Sequence, residues 1–391
     1  MSATGRLLLA GLLTMAIVMG VGRFYYTPML PLMQRDYGFD AAVAGLIGSS
    51  NFAGYLIGSI AASFIRPGRV RLWIFRISVI VSVATTAGMG LTDSFAVWMV
   101  LRFLSGVASA LAMIVAAMVI AEALFSVNEP GRIWLMFAGV GAGITLSGIL
   151  AQVAGDAFSS SLMWYLAGGL CVLMVPFVFA ELRDRQLEAR PRRSDDRTRT
   201  PRPLPFAALL INYTCEGLGY SVFATFIVAI VKARPGMEAV GDWVWIIAGI
   251  AGFFSTLLWA AAAGRIGYAM ALVLAYLVQI VGVALPALSG SGVVAITAAA
   301  MFGGTVMGIS MLTLAVGRES VDGRGIAILT AGFGLGQMAG PAVAGYLVTA
   351  GVGYPATLIG SAGILLFGLV VLVVAVVRRN LSVARDGGPA L

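Results

Sequence analysis

The sequence has no histidine, only two cysteines, and few charges: 11% of its 391 residues are Asp, Glu, Lys or Arg, against about 25% in soluble domains. Without histidine, and with Cys171 and Cys215 both inside apolar stretches, neither a Cys/His metal site nor a disulfide framework is supported. There is no ATP-binding loop and no nucleophile with its base. The Gly-x-Gly runs lie inside apolar segments with no strand before them, so a dinucleotide site fails on context. The chain is not expected to be an enzyme or to carry a cofactor. A formal charge of +8 raises nucleic acid as a partner. The basic residues, however, fall in alternate short loops rather than along a stripe, which argues against it.

What is present is apolar. Hydrophobic residues make up 60% of the chain, mean hydropathy is +0.98, and runs of about 20 apolar residues, each long enough to span a bilayer, recur throughout. The reading is an all-α polytopic membrane protein with helices near 7–32, 41–65, 72–91, 96–125, 131–153, 161–182, 206–231, 241–263, 269–288, 291–316, 325–350 and 354–377. The first run follows Arg6 as a signal peptide would. It exceeds the usual apolar length and lacks a small-residue cleavage site, so it is expected to stay as a helix. Between Arg183 and Pro205 lie eight arginines and four prolines with no apolar periodicity. That segment reads as a linker (183–205) between six-helix bundles at 1–182 and 206–377, with a tail at 378–391.

Twenty basic residues, among them Arg6, Arg66, Arg69, Arg71, Arg76, Arg132, Arg265, Arg318 and Arg324, fall on the linker side; three, Arg35, Lys232 and Arg234, fall on the other. The positive-inside rule then puts both termini and the linker in the cytoplasm of a bacterial inner membrane.

The halves read as repeats. Gly20-Val21-Gly22-Arg23 aligns with Gly217-Leu218-Gly219-Tyr220. Ala138 to Gly143 aligns with Ala331 to Gly336, and Gly106 with Gly304. Nearly equal offsets in one order indicate a parallel repeat, the transporter architecture with its site at the midplane between halves.

On these residues the chain resembles the major facilitator superfamily over its whole length. Arg102-Phe103-Leu104-Ser105-Gly106 is similar to that family's RxxxG motif, and Gly336 to Gly345 to its glycine-proline motif. More narrowly it resembles the YbfB/YjiJ-type branch, through Gly22-Arg23-Phe24-Tyr25-Tyr26-Thr27-Pro28, Asn51 to Gly58, Glu216 to Tyr220, Phe302 to Gly308 and Thr330 to Gly334. The resemblance implies two pseudo-symmetric six-helix bundles and a secondary carrier, and names no substrate. The family's loop between helices 2 and 3 usually carries an aspartate; here Arg66-Pro67-Gly68-Arg69-Val70-Arg71 keeps the basic residues and has no acid.

Three ionisable residues lie well inside expected helices: Arg23, Arg102 and Glu216. At 1.5 Å per residue, Arg23 and Glu216 are each roughly 15 Å from a helix end, near the midplane. A charge at that depth costs roughly 2.5–3.5 kcal/mol on insertion scales and is a functional-site hypothesis by default. Arg23 either binds an anionic substrate group, as a guanidinium does bidentately, or forms a static ion pair with Glu216. Glu216 is either the proton-coupling carboxylate, alternately sealed and solvated, or that pair's other half. Arg102 is expected to act on coupling indirectly or structurally, and Glu122 to sit at the membrane interface. Tyr26, Asn51, Tyr55, Asn212, Tyr220, Gln279 and Gln337 either line a cavity or bond neighbouring helices; Tyr26, Asn51, Tyr220 and Gln337 join Arg23 as substrate-site candidates. Trp98, Trp164, Trp243 and Trp245 are expected as interface anchors.

The expectation is therefore a proton-coupled, alternating-access carrier of a small polar, anionic solute. It acts as a monomer in the lipid bilayer. A proton-driven exporter of amphipathic drugs or metabolites is the rival within transport; a non-transporting membrane sensor or assembly partner is the rival outside it.

Overall fold

The computed structural model describes residues 2–65, 68–154, 157–183, 204–320 and 323–385. Most of the expected linker (184–203) and the end of the tail (386–391) lie outside the described residues, as do Arg66, Pro67, Asp156 and Asp322. Among the described residues, twelve helices are long and apolar enough to cross a bilayer: α1 Ala3–Tyr37, α2 Ala41–Ala62, α3 Val70–Leu91, α4 Phe95–Ser126, α5 Pro130–Val153, α6 Ser160–Glu181, α7 Phe206–Lys232, α8 Glu238–Ile266, α9 Tyr268–Leu288, α10 Gly292–Arg318, α11 Gly325–Thr349 and α12 Tyr354–Ser382. Each falls where an apolar run is expected, with α1 longer at both ends.

Local signals set the helix ends. The Ser2 hydroxyl accepts from Gly5 N at 3.1 Å and the Asp40 carboxylate from Val43 N at 2.9 Å, each satisfying an orphan donor of a first turn. Gly38, with φ +67°, closes α1 in the left-handed conformation that glycine adopts without strain.

The helix pairs repeat as the sequence repeats. In the first half α1 packs on α5 and α6, α4 on α2 and α3, and α3 on α6. In the second half α7 packs on α11 and α12, α10 on α8 and α9, and α9 on α12. Shift each number by six and one set becomes the other. The aligned glycines make the equivalent crossings. A Cβ on Gly20 would collide with the Gly143 backbone, and one on Gly217 or Gly336 with the facing backbone between α7 and α11. Small residues are what let helices approach this closely in a membrane.

The halves meet through α1 against α7, α2 against α11 and α5 against α8. The apolar stretches of α1 and α7 are 78% and 83% buried against 33% for α6, so α1 and α7 form the axis of the molecule and α6 its lipid-facing edge. The tightest approaches between halves cluster away from the end that carries the start of α1 and the end of α12, here the terminal end. At the opposite, far end, Gly45 faces the Pro341 carbonyl, Gly345 the Ala41 carbonyl and Gly148 Ile246, while nearer mid-helix Gly249 faces Thr145 and Gly141 the Phe253 backbone. Ala42 N donates to Thr349 Oγ1 at 3.0 Å, and Thr27 Oγ1 to the Ala224 carbonyl at 2.5 Å.

Three tryptophans correct the expectation of interface anchors. Trp98, Trp164 and Trp245 are fully buried, and only Trp243, 49% exposed, sits where an anchor would. Their ring N–H groups explain two of them: Trp98 donates to the Met89 carbonyl at 3.0 Å and Trp245 to Ser147 Oγ, across the halves, at 3.2 Å. A buried indole with a partner is core.

Candidate functional site

The site begins with a defect in α1. Gly22 N bonds Ile17 O at 2.7 Å and Phe24 N bonds Met19 O at 3.0 Å, both reaching back five residues, so Ala16–Val21 is a π-helical turn. Pro28 and Pro31 then supply no N–H to the carbonyls four residues before them. Thr27 N turns to Phe24 O at 3.2 Å, so the carbonyls of Gly22 and Arg23 need another donor.

Arg102 supplies it. Its Nη1 donates to Gly22 O at 2.9 Å and its Nη2 to Arg23 O at 2.7 Å; Ser105 Oγ adds a bond to Gly22 O at 2.8 Å. The guanidinium lies 5.1 Å from the centre of the Tyr26 ring. Asn51 holds the arginine's own backbone, donating from Nδ2 to Arg102 O at 2.9 Å, and the Tyr26 hydroxyl donates to Ala44 O at 2.9 Å. Tyr26, Asn51 and Arg102 thus tie α1, α2 and α4 together behind the break.

In front of it stands Arg23, buried (3% exposed) on the axis between halves. Its Nη2 donates across the interface to Gln337 Oε1 on α11 at 3.0 Å. Gln337 Nε2 in turn donates to the Tyr220 hydroxyl on α7. Three rings surround the cation, with centres at 4.0 Å (Tyr55), 4.8 Å (Phe52) and 5.4 Å (Phe24), the arrangement in which a ring quadrupole stabilises a guanidinium. Arg23 Nε has no hydrogen-bond partner. Behind Tyr220 the wall is aromatic: its ring stacks on Phe333 at 5.6 Å and 3°, and Phe333 stacks on Tyr213 at 4.4 Å.

Glu216 faces elsewhere. It is fully buried, one turn before Tyr220 on α7, and its Oε1 accepts from Gln279 Nε2 on α9 at 2.6 Å. Its second oxygen has no partner. No ion pair joins it to Arg23 among the described residues; the arginine meets the neutral Gln337 instead. Of the candidates read from sequence, Arg23, Tyr220 and Gln337 come together across the halves. Tyr26, Asn51 and Arg102 form the layer behind them. Glu216 belongs to a separate polar group inside the second half. Phe24 and Phe52 of the ring cage and Phe333 of the wall lie in the stretches that carry the family resemblance, but their contact with the Arg23 site has no separate mark in so apolar a sequence.

Glu122, at the terminal end of α4, is half-buried and pairs bidentately with Arg71 of α3, both contacts at 2.8 Å. This links two helices of the first half beside the loop that lacks the family's aspartate.

A twelve-helix fold in two repeating halves, with a broken first helix at their interface, defines a carrier of the major facilitator class. Residues 15–373 match a family described as uncharacterised MFS-type transporter YbfB. The chain belongs to that family. No curated protein matches the chain. Among solved structures, the nucleoside transporter NupG is similar with a TM-score of 0.72 at 13% identity, covering 96% of this chain and 99% of that one. A bacterial homologue of the human lysosomal transporter Spinster, inward-facing and occupied, is similar with a TM-score of 0.70 at 15% identity, covering 96% and 97%. At such identities the likeness is one of fold.

Proposed function

We propose that this MFS-type transporter is a secondary active carrier that moves a small, polar, anionic solute across the bacterial inner membrane by alternating access, coupled to protons. The observation that carries the reading is Arg23. It is a buried cation on the contact between halves, bonded to a neutral amide, with an unused N–H and no carboxylate against it. A guanidinium so placed is short of an anion, and binding one at the axis recruits both halves at once: α1 through Arg23, α11 through Gln337, α7 through Tyr220. Tyr26 and Asn51 support the reading indirectly, because they fix the α4 backbone and the α1 break on which Arg23 is mounted. Glu216, held by a single neutral donor, takes the coupling proton. With Arg102 acting on α1 from behind, the occupancy of the solute site and the shape of the helix break are mechanically linked.

The arginine-rich terminal end is cytoplasmic in this reading, so closure at the far end makes the structure one that seals the outside. The halves are 1–182 and 206–377, and a monomer suffices.

The test is a thermal-shift screen of the purified carrier against organic anions, sugars and amphipathic cations. Ligand binding to the folded state raises stability by mass action. An anion should stabilise the wild type, Arg23→Ala should abolish that shift, and Arg23→Lys should weaken it, since lysine cannot bind bidentately. A shift retained in Arg23→Ala would leave the arginine structural.

A further inference from the structure

Asn212, Glu216 and Gln279 are each fully buried, and each has one oxygen with no hydrogen-bond partner: Asn212 Oδ1, Glu216 Oε2 and Gln279 Oε1. Buried polar atoms are almost always satisfied, so three unpartnered oxygens in one region stand out. These exceptions belong together. Asn212 and Glu216 are one turn apart on α7, the spacing that puts two side chains on one face. The Gln279 amide touches the Glu216 carboxylate at 2.6 Å. One turn before Gln279, the Tyr276 hydroxyl donates to the Asn212 backbone carbonyl at 3.2 Å, so α7 and α9 are pinned in register at both levels.

The amide orientations are set by their neighbours. Asn212 Nδ2 donates to Gly368 O on α12 at 3.0 Å. A carbonyl only accepts, so the amide oxygen must point the other way. Gln279 presents its NH₂ to the carboxylate, which leaves its Oε1 as the free end of the amide. All three orphaned atoms are therefore acceptors, one of them on a carboxylate. Three buried acceptors, one of them anionic, are the donor set that suits a cation. The Arg23 guanidinium is engaged elsewhere, and the titratable groups near Glu216 are Tyr213, Cys215, Tyr220 and Tyr276, none of them a cation.

We propose that Asn212, Glu216 and Gln279 form a site for a small monovalent cation, sodium in class. Hard cations take oxygen ligands, and one positive charge offsets the lone carboxylate without leaving a net charge buried in the membrane, the costly alternative. This deepens the coupling role given to Glu216 and rests on it. The carboxyl takes either a proton or a sodium ion, and the two amide oxygens are what make the second occupant possible.

The experiment is thermal unfolding of the purified full-length carrier at pH 8.5 in sodium chloride, lithium chloride, potassium chloride and choline chloride at one ionic strength. Sodium should give a saturable rise in unfolding temperature that choline does not give. Asn212→Leu and Gln279→Leu should each lose it, while Asn212→Asp, which keeps an oxygen, should retain it. Lowering the pH should weaken sodium's apparent affinity in competition for Glu216. Size-exclusion profiles establish that the variants are folded, and the Asn212→Asp result stands without the leucine variants. Equal shifts in sodium and choline, or a sodium shift unchanged in folded leucine variants, overturns the site. The pH dependence of the unfolding temperature in choline chloride, wild type against Glu216→Gln, separates the two ideas. If Glu216→Gln loses that dependence while sodium has no effect on the wild type, the cation site falls and proton binding at Glu216 stands. If neither cation nor proton acts through Glu216, both fall.

Discussion

Arg102 shows how an expensive residue can be spent on backbone. It satisfies the carbonyls of Gly22 and Arg23, which the π turn and the turning of Thr27 N to Phe24 O leave without helical donors. Losing those bonds orphans the buried Arg23 carbonyl, at about 1–3 kcal/mol, and leaves Gly22 O with Ser105 Oγ alone. Arg102→Ala is therefore expected to lower the unfolding temperature clearly and also to abolish solute binding, because the Arg23 backbone loses its support. Arg102→Lys should be intermediate. Unchanged stability in a calorimetric comparison would remove this role. The sequence placed Arg102 within a helix and, by family resemblance, away from direct substrate contact. It did not reveal the carbonyls, because a π turn depends on how α1 is seated against α4 and α5 as well as on its own residues. Glu216 is a similar case. Its depth was legible, but its partner was not, since which side chain of α9 faces α7 is decided by helix rotation and register. An arginine and a glutamate at one depth suggested a pair; the structure gives each a neutral amide instead.

Among the helices, the crossings were the most legible feature. Gly20 with Gly143 and Gly217 with Gly336 mark contacts that the repeat offsets had already paired, because only glycine permits backbone-to-backbone approach and such positions leave a pattern in sequence. Tryptophan leaves no such pattern. Trp98, Trp164 and Trp245 sit near helix ends, where sequence alone favours the interface, and helix rotation turns them inward. At the far end, Gly45 against Pro341 and Gly345 against Ala41 set how closely α2 and α11 meet. In a background free of Cys171 and Cys215, cysteines at Ala42 and Thr349 should crosslink efficiently. Adding Gly45→Leu should suppress the crosslink while the protein stays folded. Crosslinking that is indifferent to the leucine would show that this crossing does not govern closure.

For the whole molecule, topology is the expectation with most at stake, because it decides which side is sealed. In the same cysteine-free background, a cysteine at Arg183 on the terminal end should react with an impermeant maleimide only in inside-out vesicles. One at Ala239 on the far end should react only in intact spheroplasts. The reverse pattern would invert the membrane orientation and with it the assignment of the sealed face. The distribution of arginines carries this expectation, and it is a property of loops. It is accordingly independent of everything inferred about the axis.

The far-end seal has a further consequence. The contacts named there are neutral: glycine against carbonyl, an amide on a threonine hydroxyl, a threonine on a carbonyl, an indole on a serine. Mobile ions screen charges and leave such contacts almost untouched. The closed state of those contacts should therefore hold across a wide range of ionic strength. Any response of this carrier to salt then reports on the charged groups of its interior and on the loops, and the closure itself serves as the constant background against which that response is read.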